Sequence, residues 1–150
     1  MKIISPAFGH MTSMPAKYTC DGKNINPPLE FVDVPQEAKS LTLIMDDPDA
    51  LKPAGRVWDH WLVWNMPSVT RVIAENTQPA GVVGPNTRGN HAYRGPCPPD
   101  GEHRYIFKLY ALDVELDIDG ESNKHELESA MSGHILAQAE LIGLYNRENY

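Results

Sequence analysis

The sequence predicts a mainly β domain with one helix near its C-terminus, and three observations carry that expectation. Thirteen prolines in 150 residues, nearly twice the usual share of about 5%, run from Pro6 to Pro99 and exclude long helices from the first two thirds of the chain. Short runs of β-branched and aromatic residues end in turn chemistry. Only beyond residue 120 does an apolar stripe with a period near 3.6 residues emerge.

Three strands follow from the second observation. SLTLIM (40–45) is closed by DDPD and VWDHWLVW (57–64) by NMP, while RYIFKLYALD (104–113) shows apolar alternation. The helix starts from a capping box of Asn123 and Glu126. Its stripe runs through Leu127, Ala130, Met131, His134, Ile135, Gln138, Leu141, Ile142 and Tyr145, so the expected helix reaches Tyr145 and packs on a sheet, with His134 a satisfied core histidine. Residues 74–103 have no regular period and read either as a functional loop or as short strands.

The totals bound the function. One domain over residues 1–150 is long enough to bury a core without disulfide staples. A formal charge of −7 with no Lys/Arg cluster excludes nucleic acid as a partner, and no apolar run approaches the 18 to 20 residues of a membrane span. The N-terminus, broken by Ser, Pro, Gly and His, lacks a secretory core, so the expected location is cytoplasmic. There, Cys20 and Cys97, far apart and outside any CxxC spacing, read as free thiols.

Candidate site residues gather at strand ends. DDPDA (46–50) places three carboxylates directly after an apolar run, and Pro48 stiffens the turn from which Asp47 and Asp49 project. Strand alternation puts His103 and Tyr105 on one face with Arg104 opposite, and Trp58 and His60 on one face with Asp59 and Trp61 on the other. Taken singly, Asp46, Asp47 and Asp49 read as turn residues and the histidines as structural.

Together the stretches DDPDA, WDHWLVWNMP and YRGPCPPDGEHRYIFKLYALD closely resemble the phosphatidylethanolamine-binding protein family, including its bacterial Raf-kinase-inhibitor-like branch. YTCDGKNINPPLEF and GHILAQAELIGLY extend the resemblance over nearly the whole chain. It implies a β-sandwich with Greek-key connections and a few peripheral helices. It also implies an anion pocket lined by Asp47, Asp49, Trp58, His60, Gly95, Cys97, His103 and Tyr105, accepting phosphate-like groups or a phospholipid head group. No cofactor, metal or catalytic residue is implied. The expected partners are a small phosphorylated or zwitterionic ligand, a protein whose activity is modulated, such as a kinase or protease, and a second copy of the chain. Leu51 replaces a usual proline, and Arg94 brings a cation beside the expected pocket.

A different class of function is a metal-dependent hydrolase using Asp47, Asp49, His60 and His103 as ligands. These four lack a tight ligand spacing, HELES (125–129) misses H-E-x-x-H at its last position, and no G-x-S-x-G elbow marks a serine hydrolase.

Overall fold

A computed structural model describes residues 1–147. In chain order its elements are β1 (Lys2–Ile4), β2 (Thr12–Ser13), β3 (Leu29–Val32), β4 (Ser40–Asp47), α1 (Leu51–Ala54), β5 (Trp58–Pro67), β6 (Val72–Ile73), β7 (Val82–Val83), β8 (His103–Leu112), α2 (Lys124–Met131) and β9 (Ile135–Tyr145). Short 3-10 turns occupy Ala16–Tyr18 and Pro48–Ala50. The fold is mainly β, as the sequence predicts.

Six strands form one sheet in the order β2-β9-β8-β4-β5-β7, and three form a second in the order β1-β3-β6. Strand alternation gives the larger sheet two apolar faces. Leu41, Leu43 and Met45 of β4, with Phe107 and Leu109 of β8, pack against Ile3, Leu29 and Phe31 of the smaller sheet. On the opposite face Ile44, Leu62, Trp64 and Leu112 meet Leu127 and Met131 of α2. The result is a sandwich of two sheets with α2 packed on the outer face of the larger one.

The C-terminal helix is shorter than its stripe. The capping box of Asn123 and Glu126 is present and opens α2, but the helix stops at Met131 and Gly133 turns the chain at φ 82°. Residues 135–145 then form β9, paired along its length with β8. The spacing of Leu141, Ile142 and Tyr145 fits a helix, but burial of Leu141, Gly143 and Tyr145 on alternate positions fits a strand. Pairing with β8 decides between the two patterns. His134 sits half exposed at this junction, Nδ1 2.9 Å from Asp113 Oδ1, and is not a core histidine.

Cys20 and Cys97 form a disulfide with Cα atoms 5.5 Å apart, which corrects the expectation of free thiols. Their loops run side by side, the Cys20 N–H donating to the Pro96 carbonyl at 3.1 Å, a proximity that sequence separation conceals. The NMP stretch does not end a strand, because β5 continues through Pro67.

The facing of β5 is also corrected. Met45 pairs with Trp61 and Asp46 with Asp59, so His60 has no partner in β4 and forms a β-bulge. Alternation breaks there. Trp61 joins the core between the sheets, whereas Asp59 turns to the α2 side and lies 2.9 Å from Lys124 Nζ.

Candidate functional site

The ends of β4, β5 and β8 meet at a cavity of about 280 Å³, roofed by α1 and by the proline-rich loop 95–99. Asp47, Trp58, His60 and Tyr105 line it together with Gly95, Cys97 and His103. Asp49 is not among the lining residues. It lies outside, forked onto Arg104 through bonds of 3.0 and 2.9 Å and accepting the Arg104 N–H at 2.8 Å, and these donors hold its carboxyl below the usual range.

Asp47 leaves β4 as the cap of the 3-10 turn that follows. Its Oδ1 accepts from the N–H groups of Asp49 and Ala50 at 2.9 and 3.2 Å, so Asp47 is a turn residue that also borders the cavity. Its Oδ2 takes the Nδ1–H of His103 at 2.7 Å. Burial pushes the Asp47 carboxyl up against the opposing effect of these bonds. His103 Nε2 reaches Asp100 Oδ1 at 2.8 Å, so both ring nitrogens face carboxylates. Burial alone would lower its pKa, but the two acids outweigh burial and hold it above the ordinary imidazole value. Both ring nitrogens of His103 are thus engaged, one by Asp47 and one by Asp100.

His60 has the opposite character. Its ring is buried and lowered to about 4 by desolvation, so the imidazole is neutral. Nδ1 lies 2.6 Å from the Arg94 carbonyl, an acceptor without a proton to give. The proton therefore resides on Nδ1, and Nε2 presents a lone pair with no partner among the described residues. Beside it the Tyr105 ring packs edge-on at 5.3 Å. The Tyr105 hydroxyl is wholly buried and makes no well-formed hydrogen bond among the described residues, with the Asp47 carboxylate close enough to act on it. Burial first, and then the charge of Asp47, keeps it protonated far above its usual range.

The bulge positions this chemistry. As an unpaired residue of β5, His60 is released from alternation and lines the cavity with Trp58. The loop that supplies Gly95 is held by the Tyr93 hydroxyl on the Tyr18 carbonyl at 2.8 Å and by the Gly95 N–H on Asn24 Oδ1 at 2.7 Å. A Cβ on Gly95 would collide with the Tyr18 carbonyl, so only glycine permits this approach.

Two charged lining residues were missed or only half seen in the sequence. Arg88 also borders the cavity, as does Arg94. The irregular run around Arg88 gives no periodicity to place it; Asn86 does, accepting the N–H groups of Arg88 and Asn90 at 3.0 and 3.2 Å.

The four residues of the metal reading are not assembled as a ligand set. Asp49 is spent on Arg104 outside the cavity, and His103 is spent on two carboxylates. Among the described residues no three His, Cys, Asp or Glu side chains come together to hold a metal ion. No helix among them is long and apolar enough to cross a membrane.

The chain matches the family model for Phosphatidylethanolamine-binding protein over residues 4–146. It is 48% identical over 153 residues to a UPF0098 protein of Methanothermobacter thermautotrophicus, spanning 98% of this chain and 99% of that one. Its fold superposes on a putative phosphatidylethanolamine-binding protein homologue from Chlamydia trachomatis with a TM-score of 0.93 at 47% identity, covering 97% of each chain. Escherichia coli YbcL is similar at a TM-score of 0.88 and 28% identity, again over 97% of each.

Proposed function

Because the chain belongs to the phosphatidylethanolamine-binding protein family, we propose that it is a non-enzymatic binding protein whose ligand presents a phosphate group to Tyr105 and His60. The observation that carries this reading is the buried Tyr105 hydroxyl, whose residue lines the cavity and which makes no well-formed hydrogen bond among the described residues. An unsatisfied buried donor costs roughly 1 to 3 kcal/mol, a cost that a ligand oxygen relieves.

The neighbouring groups specify the form of that ligand. Tyr105 offers an O–H donor and neutral His60 offers an acceptor at Nε2, the complement of a phosphate bearing one ionised oxygen and one hydroxyl. The acids of DDPDA do not stand free against it, because Asp47 is bonded to His103 and Asp49 is paired with Arg104. A ligand bound here alters the rim formed by α1 and loop 95–99, and that rim is where a modulated protein partner would sense it.

The test is a calorimetric and NMR titration with inorganic phosphate of the wild-type chain and of Tyr105→Phe. Saturable binding that perturbs the His60 ring, reduced at least tenfold in a Tyr105→Phe protein of undiminished stability, is expected. Equal affinity in the two proteins overturns the reading.

A further inference from the structure

We propose that the pocket selects phosphate-bearing ligands with a second anionic group, and that Arg88 and Arg94 are the residues that read it. This rests on the reading of the pocket as a phosphate site and names the class of ligand that fits it.

Both guanidinium-bearing residues line the cavity, yet neither makes an ion pair or side-chain hydrogen bond among the described residues. Arg104 and Arg147, by contrast, are forked onto Asp49 and Asp21. The Arg88 and Arg94 charges are also close enough to act on each other: burial and then the Arg88 charge lower the pKa of Arg94. Gathering two like charges without a counter-ion is unfavourable until an anion arrives.

Their backbones are fixed in this placement. Thr87 is stitched to Asp59, its N–H donating to the Asp59 carbonyl at 2.9 Å and its Oγ1 accepting the Asp59 N–H at 2.7 Å. Arg94 is bonded at both its N–H and its carbonyl to His60. Arg88 is exposed and Arg94 half buried, whereas Tyr105 and His60 are buried, so the guanidinium groups form the rim above the phosphate position. Arginine at such a rim suits a planar carboxylate or a second phosphate.

The same geometry disfavours an ammonium group. Asp47 accepts three protein hydrogen bonds and Asp49 is paired outside, so no free carboxylate faces the cavity. Among the permanently charged lining residues, Arg88 and Arg94 outnumber the single carboxylate of Asp47, on a chain whose formal charge is −7. A zwitterionic head group would set its cation against the two arginines.

The experiment compares inorganic phosphate, phosphorylethanolamine and 2-phosphoglycolate by calorimetry, on the wild-type chain and on Arg88→Gln and Arg94→Gln variants. The two organic probes have similar length and differ in the charge at the far end. We expect 2-phosphoglycolate to bind at least tenfold more tightly than phosphorylethanolamine. Each substitution should shrink that ratio by about threefold or more and leave inorganic phosphate within about twofold. Exposed Arg88 gives a variant whose folding is not in question. Binding of phosphate with no preference for 2-phosphoglycolate, or an equal loss for all three probes in the variants, overturns the selection but keeps the phosphate site. Absence of binding by every probe overturns both.

Discussion

His60 and Arg94 are bonded to each other twice. The Arg94 N–H donates to the His60 carbonyl at 3.1 Å, and the His60 ring donates from Nδ1 to the Arg94 carbonyl at 2.6 Å. One residue thus has its tautomer fixed by the backbone of the other, while the other's side chain is left free to face the cavity rim. Whatever displaces loop 94–99 must therefore also disturb the imidazole.

Stability will depend on pH through two histidines of opposite sign. An unfolded imidazole titrates near pH 6.5, and burial lowers folded His60 to about 4. The unfolded chain binds the extra proton between these values, so the His60 contribution is complete above about pH 6.5 and is lost as pH falls toward 4, by about 3 kcal/mol at the acid limit. His103 is raised, so its contribution is complete below about pH 6.5 and is lost as pH rises through its folded pKa. Urea denaturation from pH 4 to 8 should show a flattened acid limb in His60→Asn and a flattened alkaline limb in His103→Asn.

Lys124 holds two buried carboxylates apart in energy rather than in space. Asp46 and Asp59 are direct cross-strand partners, and Lys124 Nζ lies 3.1 and 2.9 Å from them. Lys108 reaches only Asp46, at 3.0 Å. Lys124→Met should cost about 3 kcal/mol, because removing one partner leaves an uncompensated buried charge. Adding Asp59→Asn to that variant should recover part of the loss in the same denaturation experiment.

Gly95→Ala should destabilise the fold by about 2 kcal/mol, the usual cost of overpacking, since its Cβ meets the backbone carbonyl of Tyr18 rather than a movable side chain. Phosphate affinity should fall with it, because the displaced loop carries the Arg94 carbonyl that orients His60. Retained affinity at wild-type stability would contradict this account of the loop.

The disulfide spans a sequence separation of 77 residues, for which chain-entropy arguments give about 4 kcal/mol as an upper figure. Cys20→Ser/Cys97→Ser should therefore unfold at markedly lower denaturant. Phosphate affinity should change by no more than about threefold, because the Cys20–Pro96, Gly95–Asn24 and Tyr93–Tyr18 bonds hold the loop independently. A thiol assay under denaturing conditions reports whether the bridge is intact.

Local chemistry was legible where it acts over a few residues. The Asn123–Glu126 capping box, the strand at 40–45 and the shared face of His103 and Tyr105 follow from side-chain type and strand period, and each is found where expected. The assignments that failed depend on partners distant in sequence. Residues 135–145 satisfy two periods, and the choice of strand is made by β8. Cys20 finds Cys97 only once the loop 95–99 lies along residues 18–24. The inversion between Asp59 and Trp61 arises from a pairing with β4 that no single-strand pattern encodes. Arg88 was invisible because its position is set by an Asx turn at Asn86 within an aperiodic loop.

The unpaired position at residue 60 of β5 stands outside the pairing that builds the sheet. Were His60 absent, Trp61 would still face Met45 and Asp59 would still face Asp46, now in unbroken alternation. His60 takes its backbone bond from Arg94 rather than from β4. His60 is thus supernumerary to the β4–β5 pairing and serves instead to tie loop 94–99 to the strand. A chain shortened by that one residue would keep the pairing of Met45 with Trp61 and of Asp46 with Asp59 but would lose both bonds to Arg94.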